Sequence, residues 1–330
     1  MEKNKNSCSI LRDLNLSDIE NTLSEAYHQN GAGRPPRKPV GIFKALVIKR
    51  VKQIPSDREL YRRLWTNQDL REICDIEDYE NPYHPSQLTR FRERVGVKKL
   101  EKIMNTLLDE LIDNKVVSGK KVVFDATFIK AYSKRDLHDN SRGGSDPEAR
   151  VGRNGKTYEL GYKLHLAVDA KSELPLAITV APANDNEKKH APELFKKALK
   201  ATSKKMKLLI ADSQYSSRSQ REQAADAGVR VVIPYPANQM RGKEGLLRVD
   251  RFFRTHGSKR EKRAYRLRSS VERVNSRLKE QLCLKNHKAR SLLRVTVHCL
   301  LCLIAMLLNA VAAMRLGVVN KARSMSLLAK

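Results

Sequence analysis

Two aspartates stand where strand physics disfavours them. Asp125 lies inside the apolar run Val122–Ile129, and Asp212 closes Leu208-Leu209-Ile210-Ala211. Aspartate is depleted in strand interiors, and a buried carboxylate without a partner is costly. If the two strands are neighbours, the carboxylates converge and their repulsion calls for a cation. Mg²⁺ suits such a pair, because it takes hard oxygen ligands and leaves positions open for phosphate oxygens. A third acid, Glu272, falls on a helical stretch with Tyr265, Arg268 and Lys279, all within about 60° of one another around the helix. Leu267, Val271, Val274, Leu278 and Leu282 form an apolar stripe about 100° away, and seating that stripe on a sheet turns the polar one toward the aspartates. Each feature also has an ordinary reading: a strand-ending Asp is commonly a turn former, and Arg268/Glu272 is an i,i+4 surface pair.

The elements that must position these groups begin where the periodicity changes from 3.6 to 2, near Lys120. Strands are expected at Lys121–Ile129, Leu160–Asp169, Leu176–Ala181, Leu208–Asp212 and Val229–Pro234. Helices are expected at His190–Leu199, at Arg218–Ala227 with an αL stop at Gly228, and from about Lys262 to Leu284. That order predicts a mixed α/β sheet flanked by helices. Residues 133–157, rich in Gly, Ser and charge, read as a mobile loop. A very basic arm, Arg241–Arg263, precedes the last long helix and suits DNA backbone.

Residues 1–118 read as helical. Gly33-Arg34-Pro35-Pro36-Arg37-Lys38-Pro39 excludes a helix, and helical spacing follows through Val51. Ser56-Asp57-Arg58-Glu59 is a capping box opening a helix with Leu60, Leu64 and Trp65 on one side. A short helix after Pro85-Ser86 carries Arg90, Arg92 and Arg94, and a longer one runs from about Lys98 to Ile112. An arginine-studded third helix fits a DNA-binding module, with a solvated charged face as the plain alternative.

Composition narrows the partners. Across 330 residues, 65 Lys and Arg against 37 Asp and Glu give a net charge of +28, which points to a polyanion, nucleic acid before membrane. Five cysteines, odd in number and scattered, argue against a secreted disulfide framework, and the pair Cys299/Cys302 lacks a second metal-binding pair. No signal peptide is visible, and the apolar run Cys299–Ala313 reads as a buried core helix, so a cytoplasmic location without a membrane is expected.

Tyr265-x2-Arg268-x3-Glu272-x6-Lys279 resembles the Y-x2-R-x3-E-x6-K signature of bacterial insertion-sequence transposases of the DDE class. Phe124-Asp125-Ala126-Thr127 and Ala211-Asp212-Ser213-Gln214-Tyr215 are similar to that family's first- and second-acid regions. Tyr162-Lys163-Leu164-His165 and Pro182-Ala183-Asn184 resemble its core, and Gly33-Arg34-Pro35-Pro36, Glu59-Leu60 and Thr89-Arg90-Phe91 its helical amino-terminal domain. The segment Asp185-Asn186-Glu187-Lys188-Lys189-His190 departs from the pattern, and no role for Asp185 or Glu187 follows from it; Lys163 and His165 read only as a basic strand face near phosphate.

The resemblance implies an RNase H-like catalytic domain over 119–316, preceded by an all-α DNA-binding domain over 1–118 and followed by a tail, 317–330. It implies Asp125, Asp212 and Glu272 as a catalytic triad holding two Mg²⁺ ions, with Mn²⁺ as a substitute. Arg268 and Lys279 would grip phosphates, Tyr265 would support a displaced base or phosphate, and Arg260, Lys262, Arg263 and Arg90 would contact DNA. The activity implied is binding of terminal inverted repeats, DNA cleavage and strand transfer by a homodimer at the bacterial nucleoid. A non-catalytic DNA-binding regulator and a simple Mg²⁺ nuclease are the alternatives.

Overall fold

The structure, a computed structural model, describes residues 9–27, 36–235 and 258–329. The chain divides into two compact units: residues to Asn114 with 277–289 and 293–330, and Lys115–Ser276 with Arg290–Leu292.

The second unit is built on one sheet: β1 (Lys121–Lys130), β2 (Arg150–Asn154), β3 (Thr157–Asp169), β4 (Pro175–Pro182), β5 (Leu208–Ile210) and β6 (Arg230–Val232). β4, β3 and β1 run antiparallel in succession, whereas β1, β5 and β6 are parallel, so the order is β4-β3-β1-β5-β6; β2 pairs only with the first residues of β3. β4 is buried almost end to end, as is β3 beyond Glu159, which is why both read as continuous apolar runs. Helix α7 (Glu187–Ala201) packs on β3 and β4, and α8 (Arg218–Asp226) leads into β6. After it come α9 (Lys259–Tyr265), a single 3₁₀ turn at Arg266–Arg268, and α10 (Ser269–Gln281).

Two expectations change here. Residues 133–157 are not a mobile loop: they contain β2, bridges at Arg135/Gly143 and Arg142/Arg150, and a buried Asp146 whose Oδ1 accepts from the Tyr162 hydroxyl at 2.7 Å and from Ser291 N at 3.1 Å. Gly152 is part of that order, since a Cβ there would run into the Ala183 carbonyl oxygen. Glycine and charge dominate the composition of this stretch, yet a few buried polar bonds anchor it. The helix expected from Lys262 to Leu284 is broken at Arg266–Arg268, where Ser269 Oγ donates to the Arg266 carbonyl at 3.1 Å. Serine hydroxyls compete in this way for backbone groups and bend helices.

The first unit holds α1 (Ser9–Asp13), α2 (Ser17–Ser24), α3 (Pro39–Val51), α4 (Asp57–Thr66), α5 (Gln68–Ile73) and α6 (Pro85–Asp113), with α11 (Leu292–Arg315) and α12 (Ser326–Ala329) from the other end of the chain. The two helices expected across 85–112 are joined in α6 through a kink at Gly96, whose φ is +62°. Trp65 does not share the buried side with Leu60 and Leu64; it is 50% exposed. Among the described residues, α11 alone is long and apolar enough to cross a membrane, and 94% of its apolar window is buried inside the protein. Arg315 pairs with Glu110 of α6 at 2.7 Å and donates to the Asn15 carbonyl. Residues 277–289 and 293–316, read from the sequence as catalytic domain, therefore pack with the amino-terminal helices. A helix apolar on every side demands enclosure, but its pattern does not say by what.

Candidate active site

Asp125 and Asp212 occupy equivalent places on adjacent parallel strands. Val123 is paired with Ile210, and each aspartate lies two residues further on, at the carboxyl end of β5. β1 continues to Lys130 along β3, whereas β5 stops, because Asp212 turns to cap the 3₁₀ turn Ser213–Tyr215, its Oδ1 accepting from Gln214 N at 2.9 Å. This is the edge of an α/β sheet where ligands bind.

Helix α10 brings its groups to the same place. Val271, Val274 and Leu278 are fully buried, and Glu272 and Asn275 follow on the next face. Asn275 Nδ2 donates to Asp125 Oδ2 at 3.0 Å, while Asn275 Oδ1 is buried without a hydrogen-bond partner. Arg268, in the turn beside β1, donates from Nη2 to Glu272 Oε1 at 3.0 Å.

The electrostatics tie the cluster together. Burial pushes the Asp125 carboxyl up to about 6; Arg268 pulls it down, and the charges of Asp212 and Glu272 push it up again. Burial also raises Asp212, opposed by the Gln214 N–H and by Arg268, with Glu187 adding to the rise. The Tyr265 hydroxyl is raised by burial and by the same acids, against Arg268. Tyr265, Arg268, Asp125, Asp212 and Glu272 thus share one field, with Arg268 as its cation.

The donor set, three carboxylates, fits a hard divalent ion. The arrangement stops short of one: Glu272 is 57% exposed and engaged by Arg268, and among the described residues no three His, Cys, Asp or Glu side chains are grouped to hold a metal. The expected three-acid convergence is therefore present as an electrostatic cluster rather than as a formed coordination site.

The remaining site residues fall as follows. Arg260, Lys262 and Arg263 are exposed on α9, and Arg90 is exposed on the first half of α6. Lys279 is on α10, in the part of it that belongs to the helical unit. Residues 241–257 of the basic arm, and Gly33-Arg34-Pro35, lie outside the described residues. Lys163 and His165 do not make a basic face for phosphate. Lys163 Nζ is 2.7 Å from Glu187 Oε1 and donates to the Asp185 carbonyl, so its charge is used internally. His165 is fully buried, pushed down to about 3 by burial, hydrogen-bonded through Nδ1 to the Tyr215 hydroxyl at 2.9 Å, and stacked on His190.

Sequence reasoning missed Asn275, and it named Glu187 and Tyr215 without giving either a role. The signal for Asn275 was an amide on the flank of an otherwise apolar helix seam. For Glu187 it was an acid at the first position of α7, following the Asn186 cap.

Residues 118–308 match the family described as Transposase DDE domain, and residues 2–94 match Transposase domain (DUF772). Among solved structures, the chain is similar to a piggyBac transposase synaptic complex with hairpin DNA, at 12% identity and a TM-score of 0.44, covering 98% of this chain and 77% of that one. It is also similar to a Mos1 transposase paired-end complex with left transposon end, at 10% identity and a TM-score of 0.23, covering 78% and 82% respectively.

Proposed function

Since the chain belongs to the Transposase DDE domain family, we propose that it is a transposase that binds the terminal inverted repeats of its own mobile element, cuts DNA there and joins the freed ends to target DNA. The observation that carries this reading is the placement of Asp125, within β1, beside Asp212, just past the end of β5, with Asn275 of the Glu272 helix bonded to Asp125. The strand order β4-β3-β1-β5-β6, with three strands paired antiparallel and then β1, β5 and β6 paired parallel, supports an RNase H-like core.

Asp125, Asp212 and Glu272 would hold divalent ions, Mg²⁺ or Mn²⁺, which when bound supply charge neutralisation and an activated oxygen nucleophile for in-line displacement at phosphorus. Arg268 has the geometry to take a phosphate by a bidentate fork, and Lys279 would act as a point charge. A phosphate that draws Arg268 away releases Glu272 toward Asp125 and Asp212, so substrate arrival and completion of the acidic site are one event. Asn275 fixes the orientation of the Asp125 carboxylate. Tyr265, half-buried beside the acids, would support a displaced base or phosphate. The exposed Arg260, Lys262 and Arg263 follow the backbone on either side, and a homodimer would pair the two ends.

Glu272→Gln tests the assignment. The variant should bind element-end DNA as the parent does and show no Mg²⁺-dependent cleavage or joined product on labelled ends with a target plasmid. Parental levels of cleavage by it would refute the triad.

A further inference from the structure

The outward face of α4 carries a feature that the acidic site leaves unused. Arg58, Arg62 and Trp65 fall within about 60° around the helix, opposite the buried Leu60 and Leu64. Trp65, the chain's single tryptophan, is 50% exposed, and the Arg62 side chain is 79% exposed. A large aromatic held in solvent beside two arginines gains nothing for the core.

The face continues onto α6. The Tyr61 ring stands edge-on to Trp65 at 6.1 Å and to His84 at 5.6 Å, so three aromatic rings make a continuous row from α4 to the cap of α6. Beyond His84, which caps α6 by accepting from Ser86 N, come the exposed Ser86 and Arg90.

The neighbouring acids are already satisfied. Asp57 is held between Lys49 and Arg92, Glu59 pairs with Arg63 at 3.0 Å, and Glu93 pairs with Arg294 at 2.9 Å. Arg62 lies 4.0 Å from Glu59, a loose exposed approach of little energetic weight. Arg58, Arg62 and Arg90 are left as the outward charges of a face whose carboxylates are neutralised.

We propose that this face, Arg58, Arg62 and Trp65 of α4 with His84 and Arg90 at the start of α6, is a docking surface for duplex DNA, resting on the reading of the chain as a DNA-processing enzyme. Arginines alternating with aromatic rings on the solvent side of short helices match the two demands of the duplex, anionic phosphates and flat sugar–base edges. The charge complementarity is direct: exposed arginines face outward on a chain of net charge +28. The amino-terminal helices thus contact DNA through the α4 face as well as through Arg90, and Arg92, bonded to Asp57, takes no part.

Trp65 is a native reporter for the test. The full-length protein, in EDTA so that no cleavage occurs, is titrated with a duplex copied from the DNA flanking its own gene; binding is followed by anisotropy of the labelled duplex and, in parallel, by tryptophan emission. The expected result is an emission change that saturates with the anisotropy. Arg62→Gln and Arg90→Gln should each weaken binding about fivefold to tenfold and lower the salt slope by about one. Trp65→Phe, which removes the one tryptophan and serves as the emission blank, should weaken binding while leaving the circular dichroism spectrum unchanged. Saturating anisotropy with unchanged emission, and with parental affinity in the arginine variants, overturns the proposal and leaves the transposase reading standing. Absence of any duplex binding overturns both. An emission change produced by anionic lipid vesicles but not by the duplex also overturns it.

Discussion

Asp125 is held in a setting that disfavours its charge, and that has a measurable consequence. Its carboxyl rises from an ordinary 3.8 to about 6 because burial and neighbouring acids outweigh Arg268. A group raised in the folded state contributes stability below its ordinary value, and that contribution is lost as pH climbs through the raised one. Asp125→Asn should therefore stabilise the metal-free protein near neutral pH, by up to about 3 kcal/mol, with the gain vanishing near pH 4. Urea unfolding in EDTA at the two pH values checks the sign; an equal gain at both would contradict it. Asn275 predicts a different effect. Because it orients a carboxylate rather than touching substrate, Asn275→Ala should lower cleavage about 10–100-fold while duplex affinity is unchanged, as single-turnover kinetics beside anisotropy would show. The aspartates were legible because their residue type conflicts with their strands. Asn275 was not, since its importance lies in a bond to a residue 150 positions away.

Elements were readable where a single pattern governs them. β1, β3, β4, α7 and α8 follow their apolar periods, and α4 follows its Ser56 cap, which accepts from Glu59 N at 3.1 Å. Where two local tendencies compete, the pattern misled: the apolar stripe through Leu267–Leu282 suggested one continuous helix, but the serine pair Ser269-Ser270 follows a turn, and Leu267 is only half-buried. The start of α4 offers a test at this scale. Burial works against the charge of Asp57, yet Arg92 and Lys49 hold its carboxyl well below the usual range. Stability from such a group is present above the ordinary carboxylate pKa and lost as pH falls through the lowered one. Asp57→Asn should cost about 2 kcal/mol at neutral pH, because it leaves two half-buried cations unpaired. The difference from the parent should shrink in strong acid, as denaturant titrations across pH would reveal.

At the scale of the whole molecule, the helical unit is discontinuous in sequence. α11 belongs to it, with Val295 and the whole of Val297–Ala313 buried, and Asn309 Nδ2 donates to the carbonyls of Lys321, Ala322 and Ser324 to fold the following turn back. A chain ending at Asn114 would lack this helix and expose the buried faces of α3 and α6. We expect that fragment to be unfolded or aggregated, with poor amide dispersion by NMR, although it contains every amino-terminal helix. A well-dispersed, cooperatively melting fragment would show that the amino-terminal helices form a domain by themselves.

Residue chemistry and periodicity alone determined the two strand-borne acids, the Arg268/Glu272 pair, the mixed sheet and a net charge suited to a polyanion, because each follows from local side-chain physics. Tertiary structure decided the rest. It set Asp125 beside Asp212 through the β1–β5 register, used Lys163 and His165 internally, brought Trp65 to the surface, and enclosed α11 among helices from the other end of the chain. Those outcomes depend on which distant groups meet, and a linear pattern carries the demand for burial or pairing without naming the partner that meets it.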